Sequence, residues 1–300
     1  MPKESFPDAL AKAAQGHQFT MVGDGHGDPA VARTFFSQET YDVLKRQGVK
    51  HIFLETPIEM QKYYDRYSAG KMTRKDFVET ISEKLPAGST VPQKQRAALF
   101  GLHADLLDRA RKDGIQVHCA NERYKMLDEM RKDPEVMRDY RKNAPFDAMA
   151  NERVPLDTYL SLKKTERLPD GTMVSPRMSD QRVARFIHEK SGHEKAAVFY
   201  GALHLTTTHG MDELIGKDKC ATVIVTNGMG DRLQRKFNDL VDGRWHGTYT
   251  PDPNPPTLSY DLSSGEATYG QLKPAEPQID MTPLESAARP AQKPSSGFRP

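Results

Sequence analysis

The sequence predicts an α/β protein: a mostly parallel central sheet flanked by helices, with helical insertions forming a cap. Three observations carry that reading. Five short apolar runs have the length of buried strands, amphipathic helical patterns separate them, and three of those patterns end on glycine, at Gly48, Gly114 and Gly192. Strand, helix, glycine, strand is the alternation that builds parallel sheets.

The first run is Phe19 to Gly23, preceded by an N-terminal extension, residues 1–17. AVARTFFSQETYDVLKRQG then places apolar residues at helical spacing and stops on Gly48, a residue suited to the left-handed helix end. The second run, His51 to Leu54, leads after an interval to the helical pattern RAALFGLHADLLDRARKDG and the third run, Ile115 to Cys119. SDQRVARFIHEKSG has Ser179 or Asp180 as its N-cap and precedes the fourth run, Ala197 to Tyr200; Thr222 to Thr226 is the fifth. Residues 60–95 and 124–177 break the rhythm and read as helical insertions, a cap over one edge of the sheet that shapes a substrate pocket. Residues 18–245 therefore form one α/β domain with two insertions. Ten of the 21 prolines fall in the last fifty residues, where few large apolar side chains are available, so 246–300 reads as a disordered Pro-rich tail able at most to dock a protein partner.

Composition narrows the function. Lys and Arg total 43 against 41 for Asp and Glu, a net +2 that provides no attraction for nucleic acid or an anionic membrane and points to a small-molecule or peptide substrate. Two cysteines, Cys119 and Cys220, form neither a disulfide framework nor a zinc ribbon. The start lacks an apolar signal core and no run approaches about 18 apolar residues, so the expected location is the cytoplasm, or the outside by a signal-peptide-independent secretion system.

In a parallel sheet the carboxyl ends of the strands share one edge, and ligands bind there. The first strand delivers Asp24, His26 and Asp28 through the glycine-rich GDGHGD; the second ends on Glu55; the third on Asn121, Glu122 and Arg123; the fourth on His204. Such a set does one of two jobs. Neutral imidazoles with a carboxylate would hold a divalent metal (Mn, Co, Zn or Fe) and leave room for water. Without metal, one histidine would act as general base on water while Glu55 holds the imidazolium and the second histidine or Arg123 steadies an oxyanion. Gly23, Gly25 and Gly201 would let the backbone approach closely. His103, His188, His193 and His209 read as packed or solvated residues, His118 as a strand residue that packs, and Cys119 as a small buried apolar group. GDGHG departs from G-x-G-x-x-G, and no G-x-S-x-G elbow is present.

These pieces resemble, in order along residues 18–228, the superfamily of erythromycin esterase-like hydrolases, ChaN-like haem-binding proteins, the TIKI/TraB metalloproteases and related bacterial toxin domains. GDGH at 23–26 is similar to its G-E-x-H, FLETP at 53–57 to its strand ending in glutamate, SDQRVARFI at 179–187 to its R-D-x-x-M-A-x-x-I helix, and VFYGALH at 198–204 to its strand followed by G-x-x-H. The resemblance implies a site of His26, Glu55 and His204, with Asp24 where glutamate is usual, and Arg182 supporting from a helix in which Ser179 occupies the expected arginine position. It implies a hydrolase, esterase or metalloprotease-like, acting on an ester or amide bond. It equally implies two alternatives: a haem or iron carrier of the ChaN type, with His26 or His204 and a tyrosine of QKYYDRYS as axial ligand, and a secreted effector or toxin domain.

Overall fold

A computed structural model describes residues 3–24, 28–85, 93–121, 180–205, 210–228 and 256–270. Ser5 opens α1 (Phe6–Ala14) by accepting the Asp8 N–H on its hydroxyl, and the helix buries Phe6, Ala9, Leu10 and Ala13. β1 (Phe19–Asp24) leads to α2 (Pro29–Phe35), capped by Asp28, and α3 (Gln38–Arg46), capped by Ser37. β2 (Val49–Pro57) runs through a 3-10 turn into α4 (Gln61–Ser68), followed by α5 (Arg74–Lys84), α6 (Gln93–Asp113) and β3 (Gln116–Asn121). Then come α7 (Asp180–Ser191), β4 (Lys195–Gly201), a 3-10 turn Ala202–His204, α8 (Met211–Ile215) and β5 (Cys220–Thr226). A hairpin of β6 (Leu258–Asp261) and β7 (Glu266–Tyr269) completes the chain as described.

The seven strands form one sheet in the order β3-β2-β4-β1-β5-β6-β7. Every neighbouring pair is parallel except β6 and β7. Alternation along the strands divides the core in two, because successive side chains leave opposite faces of a sheet. Val22, Ile52, Leu54, Ala197, Phe199, Val223 and Val225 face the layer that contains residues of α1 to α6. Phe19, Met21, Phe53, Val198 and Tyr200 face Val183, Phe186 and Ile187 of α7 and Met211 and Ile215 of α8. The α/β class and the mostly parallel sheet are thus as the sequence predicts.

Two boundaries differ. The N-terminal extension is part of the fold, since α1 packs Phe6 against Phe35 and Tyr260 and its apolar face is fully covered. The disordered tail is corrected over 256–270. Leu258 pairs in register with Val223, Leu258 and Tyr260 are buried, and the turn closes on Gly265 with φ +70°. Averaging proline over fifty residues concealed LSYDLSSGEATY, whose alternating apolar positions and Ser-Ser-Gly turn are a hairpin pattern. Within 60–95, the described residues include the helices α4 and α5, with Tyr64, Phe77 and Ile81 in the core; 124–177 lies outside the described residues.

Candidate functional site

β1, β2, β3 and β4 all run in one direction, so Asp24, Glu55, Asn121 and Gly201 arrive at one edge. Asp24 is level with Gly201 across the β1–β4 ladder. The close approach there depends on Gly23: a Cβ at that position would stand 2.9 Å from Ala202 Cα and 3.0 Å from Leu205 Cδ1. The glycine that precedes Asp24 therefore makes room for the turn carrying His204, a need within the protein itself.

Glu55 lies where the β2–β3 register shifts between Leu54 and Pro57. Gly201 donates its N–H to Glu55 Oε2 at 2.6 Å, and Asn121 Nδ2 donates to Oε1 at 3.5 Å. Tyr200 in turn donates its hydroxyl to Asn121 Oδ1 at 3.1 Å. Both carboxylate oxygens act as acceptors, and the network ties the ends of β2, β3 and β4 together.

His204 ends the 3-10 turn after β4. Its Nδ1 is 2.6 Å from Asp180 Oδ1 at the start of α7, and its ring meets the Tyr200 ring edge-on at 5.0 Å between centroids. A carboxylate only accepts, so the neutral ring carries its proton on Nδ1 and its lone pair on Nε2. That tautomer suits both a general base and a metal ligand.

The structure thus brings together Asp24, Glu55 and Asn121, and joins His204 to them through Tyr200. His26, Glu122 and Arg123 lie outside the described residues. Arg182 is buried within α7. Among the described residues, no group of three His, Cys, Asp or Glu side chains has metal-binding spacing. Asp28 serves a structural role, accepting the Ala30 N–H as N-cap of α2 and the Asn227 amide at 2.7 Å.

Sequence reasoning missed two members. Tyr200 reads as one more apolar residue of β4, and Asp180 reads as a helix cap; only tertiary placement turns them toward Asn121 and His204. Of the three tyrosines of QKYYDRYS, Tyr63 is half-buried, whereas the other two are poorly suited as the haem ligand expected of the segment. Tyr64 and Tyr67 are buried against Phe77, and burial raises both phenols, which disfavours the phenolate. Cys119 is a buried free thiol, raised by burial, and His188 and His193 are exposed.

Solved structures similar to the chain include the type III effector HopBA1, at 16% identity and TM-score 0.44 over 77% of this chain and 86% of that one. ChaN of Campylobacter jejuni, solved with cofacial haem, is similar at 12% identity and TM-score 0.42 over 76% and 88%. RRSP, a MARTX toxin effector domain from Vibrio vulnificus CMCP6, is similar at 16% identity and TM-score 0.38 over 90% of this chain and 40% of that one. No protein-family model matches the sequence, and no curated protein matches it.

Proposed function

We propose that the protein is a hydrolase acting on an ester or amide bond of a small-molecule or peptide substrate, with His26, Glu55 and His204 as its working groups and Asp180 as the residue that orients His204. The observation that carries this reading is the 2.6 Å contact of His204 Nδ1 with Asp180, on the turn that follows Gly201, whose N–H holds Glu55. An imidazole fixed in that tautomer takes a proton from water at Nε2 as the water attacks the carbonyl carbon, and the neighbouring carboxylate stabilises the imidazolium that results. His204 then returns the proton to the leaving oxygen or nitrogen. If a divalent metal is bound, His204 Nε2, Glu55 and His26 would hold it, and it would supply an acidified water and a polarised carbonyl.

Purified wild type, His204→Ala and a His26→Ala/His204→Ala double variant, each checked for fold by circular dichroism, are assayed on a panel of esters and amides and for metal content after incubation with Mn, Co, Zn and Fe. Turnover by wild type that disappears in His204→Ala supports the reading, and near-stoichiometric metal lost in the double variant assigns the metal-dependent form. Turnover undiminished in His204→Ala overturns it. Wild type without turnover, but with a Soret band on adding haemin that the double variant lacks, replaces it with a carrier.

A further inference from the structure

A cavity of about 350 Å³ opens beside Glu55, space for about a dozen water-sized groups at roughly 30 Å³ each. Phe35 at the end of α2 and Phe36 just after it, Leu54, Phe199, Leu99 and Phe100 supply walls from α2 and its C-cap, β2, β4 and α6. Polar groups stand along its strand-end side, at Asp24, Glu55 and Asn121, and the exposed cations Arg33 and Lys94 belong to its rim. Away from that side the walls are largely apolar, and a titratable ring is set among the aromatics.

That ring is His103 on α6. It lines the cavity, is 4% exposed, and meets Phe36 and Phe100 edge-on at 4.9 and 5.3 Å. Burial drives it down to about 3, so it is neutral at any physiological pH. A neutral imidazole has one donor and one acceptor nitrogen, and the protein decides which is which. Nδ1 is 2.6 Å from the Tyr64 hydroxyl, and Tyr64 is bonded on its other side by the Thr56 side chain. The phenol is the stronger acid and the imidazole the stronger base. Thr56 therefore donates to the Tyr64 oxygen, Tyr64 donates to Nδ1, and the ring proton of His103 resides on Nε2.

We infer that this cavity binds an uncharged, largely apolar small molecule or substrate group bearing a hydrogen-bond acceptor such as a carbonyl oxygen, which His103 Nε2–H anchors among the phenylalanines. Apolar walls reward a hydrocarbon or aromatic body, and the His103 Nε2–H selects one oxygen on it, since the buried hydroxyls of Thr56 and Tyr200 in the same lining are directed to Tyr64 and Asn121. An anionic group meets the Asp24 and Glu55 carboxylates along the strand-end side and is left to the cations of the rim. The inference stands on the cavity alone and needs no turnover; in a hydrolase the same pocket would receive the apolar part of the substrate, because its mouth adjoins Glu55.

The probe is 6-propionyl-2-(dimethylamino)naphthalene, an uncharged aromatic ketone whose emission reports both polarity and hydrogen bonding at its carbonyl. Titrated into the full chain, it binds saturably at one site with a blue-shifted emission. Ala98→Trp, at an exposed lining position of α6, fills the cavity and weakens binding at least roughly tenfold. His103→Phe retains the aromatic packing and removes the donor, weakening the ketone roughly threefold to tenfold and moving its emission further to the blue. The same variant leaves unchanged the affinity for 2-(dimethylamino)naphthalene, which lacks the carbonyl. Absence of saturable binding to wild type, or equal affinity in Ala98→Trp, overturns the site. Equal ketone affinity in a folded His103→Phe overturns the anchor. These readouts are independent of catalysis, so failure of the hydrolase assay and failure of the pocket are separately visible.

Discussion

His204 and Asp180 come from segments 24 residues apart, yet they meet at 2.6 Å at the sheet's carboxyl edge. The helix between them, α7, runs back along the sheet face and ends on Gly192, which returns the chain to the start of β4; the far end of that strand then delivers the histidine.

Replacing Asp180 by Asn preserves size while allowing the amide to present either a donor or an acceptor to Nδ1. Turnover is expected to fall roughly 10- to 100-fold, as when an orienting partner of a working histidine is changed, and the acid limb of its pH profile shifts. A purely structural Asp180 would lower the unfolding midpoint and leave the pH profile in place.

Gly23→Ala forces a Cβ to within 2.9 Å of Ala202 Cα. Relief requires the 202–204 turn to move, so the variant is expected to lose about 1–3 kcal/mol of stability in urea and most turnover with it. Unchanged stability would show that the strand ends are looser than this contact implies.

Tyr200→Phe deletes the hydroxyl that Asn121 and the Ala120 carbonyl accept. The expected cost is about 1 kcal/mol, read by urea unfolding, with a larger proportional loss in turnover than in stability because Asn121 is then less well aimed at Glu55.

Stability should fall with acid below the pH at which unfolded histidine begins to protonate. His103 is held down to about 3 by burial, and His118 to about 4 by burial, with His51 and Lys190 adding to the effect. Both rings would be protonated in the unfolded chain below about 6.5 but not in the folded one, so between about 6.5 and 4 the unfolded state binds more protons. Their stabilising contribution is complete above that window and is lost through it, at about 1.4 kcal/mol per pH unit for each proton. Urea unfolding from pH 7.5 to 4.5 measures the slope, and His118→Phe should reduce it by one proton's worth.

Leu258→Ala tests the hairpin. Leu258 is fully buried beside Val223, and its truncation should cost about 2–4 kcal/mol. A cost within 0.5 kcal/mol, the usual span for a surface change, would place the hairpin outside the core.

Much of the fold was readable because β1, β2, β4 and β5 are apolar enough to stand out and Gly48, Gly114 and Gly192 punctuate the helices that precede a strand; each of these glycines has positive φ. The hairpin was not readable, because its polar face and the prolines around it outweighed Leu258 and Tyr260 in any composition average. At the site, Glu55 could be inferred as a carboxylate that ends an apolar strand. Tyr200 could not, since a tyrosine inside an apolar run signals packing, and its hydroxyl matters only once Asn121 is across the ladder. Asp180 carried a local explanation as a cap that hid its long-range one. His103 presented only a histidine on an amphipathic helix, and its neutral donor follows from Tyr64 and Thr56, which lie far from it in the sequence.

The hydroxyls of Tyr260 and Tyr269 donate to the main-chain and side-chain oxygens of Glu4, at 2.7 Å each. The beginning of the chain is therefore fastened by something synthesised some 265 positions later. During translation α1 lacks its latch, and β5 presents an open hydrogen-bonding edge until the hairpin emerges. A nascent polypeptide carrying every residue of the candidate site would thus still lack the contacts that Tyr260 and Tyr269 make with Glu4.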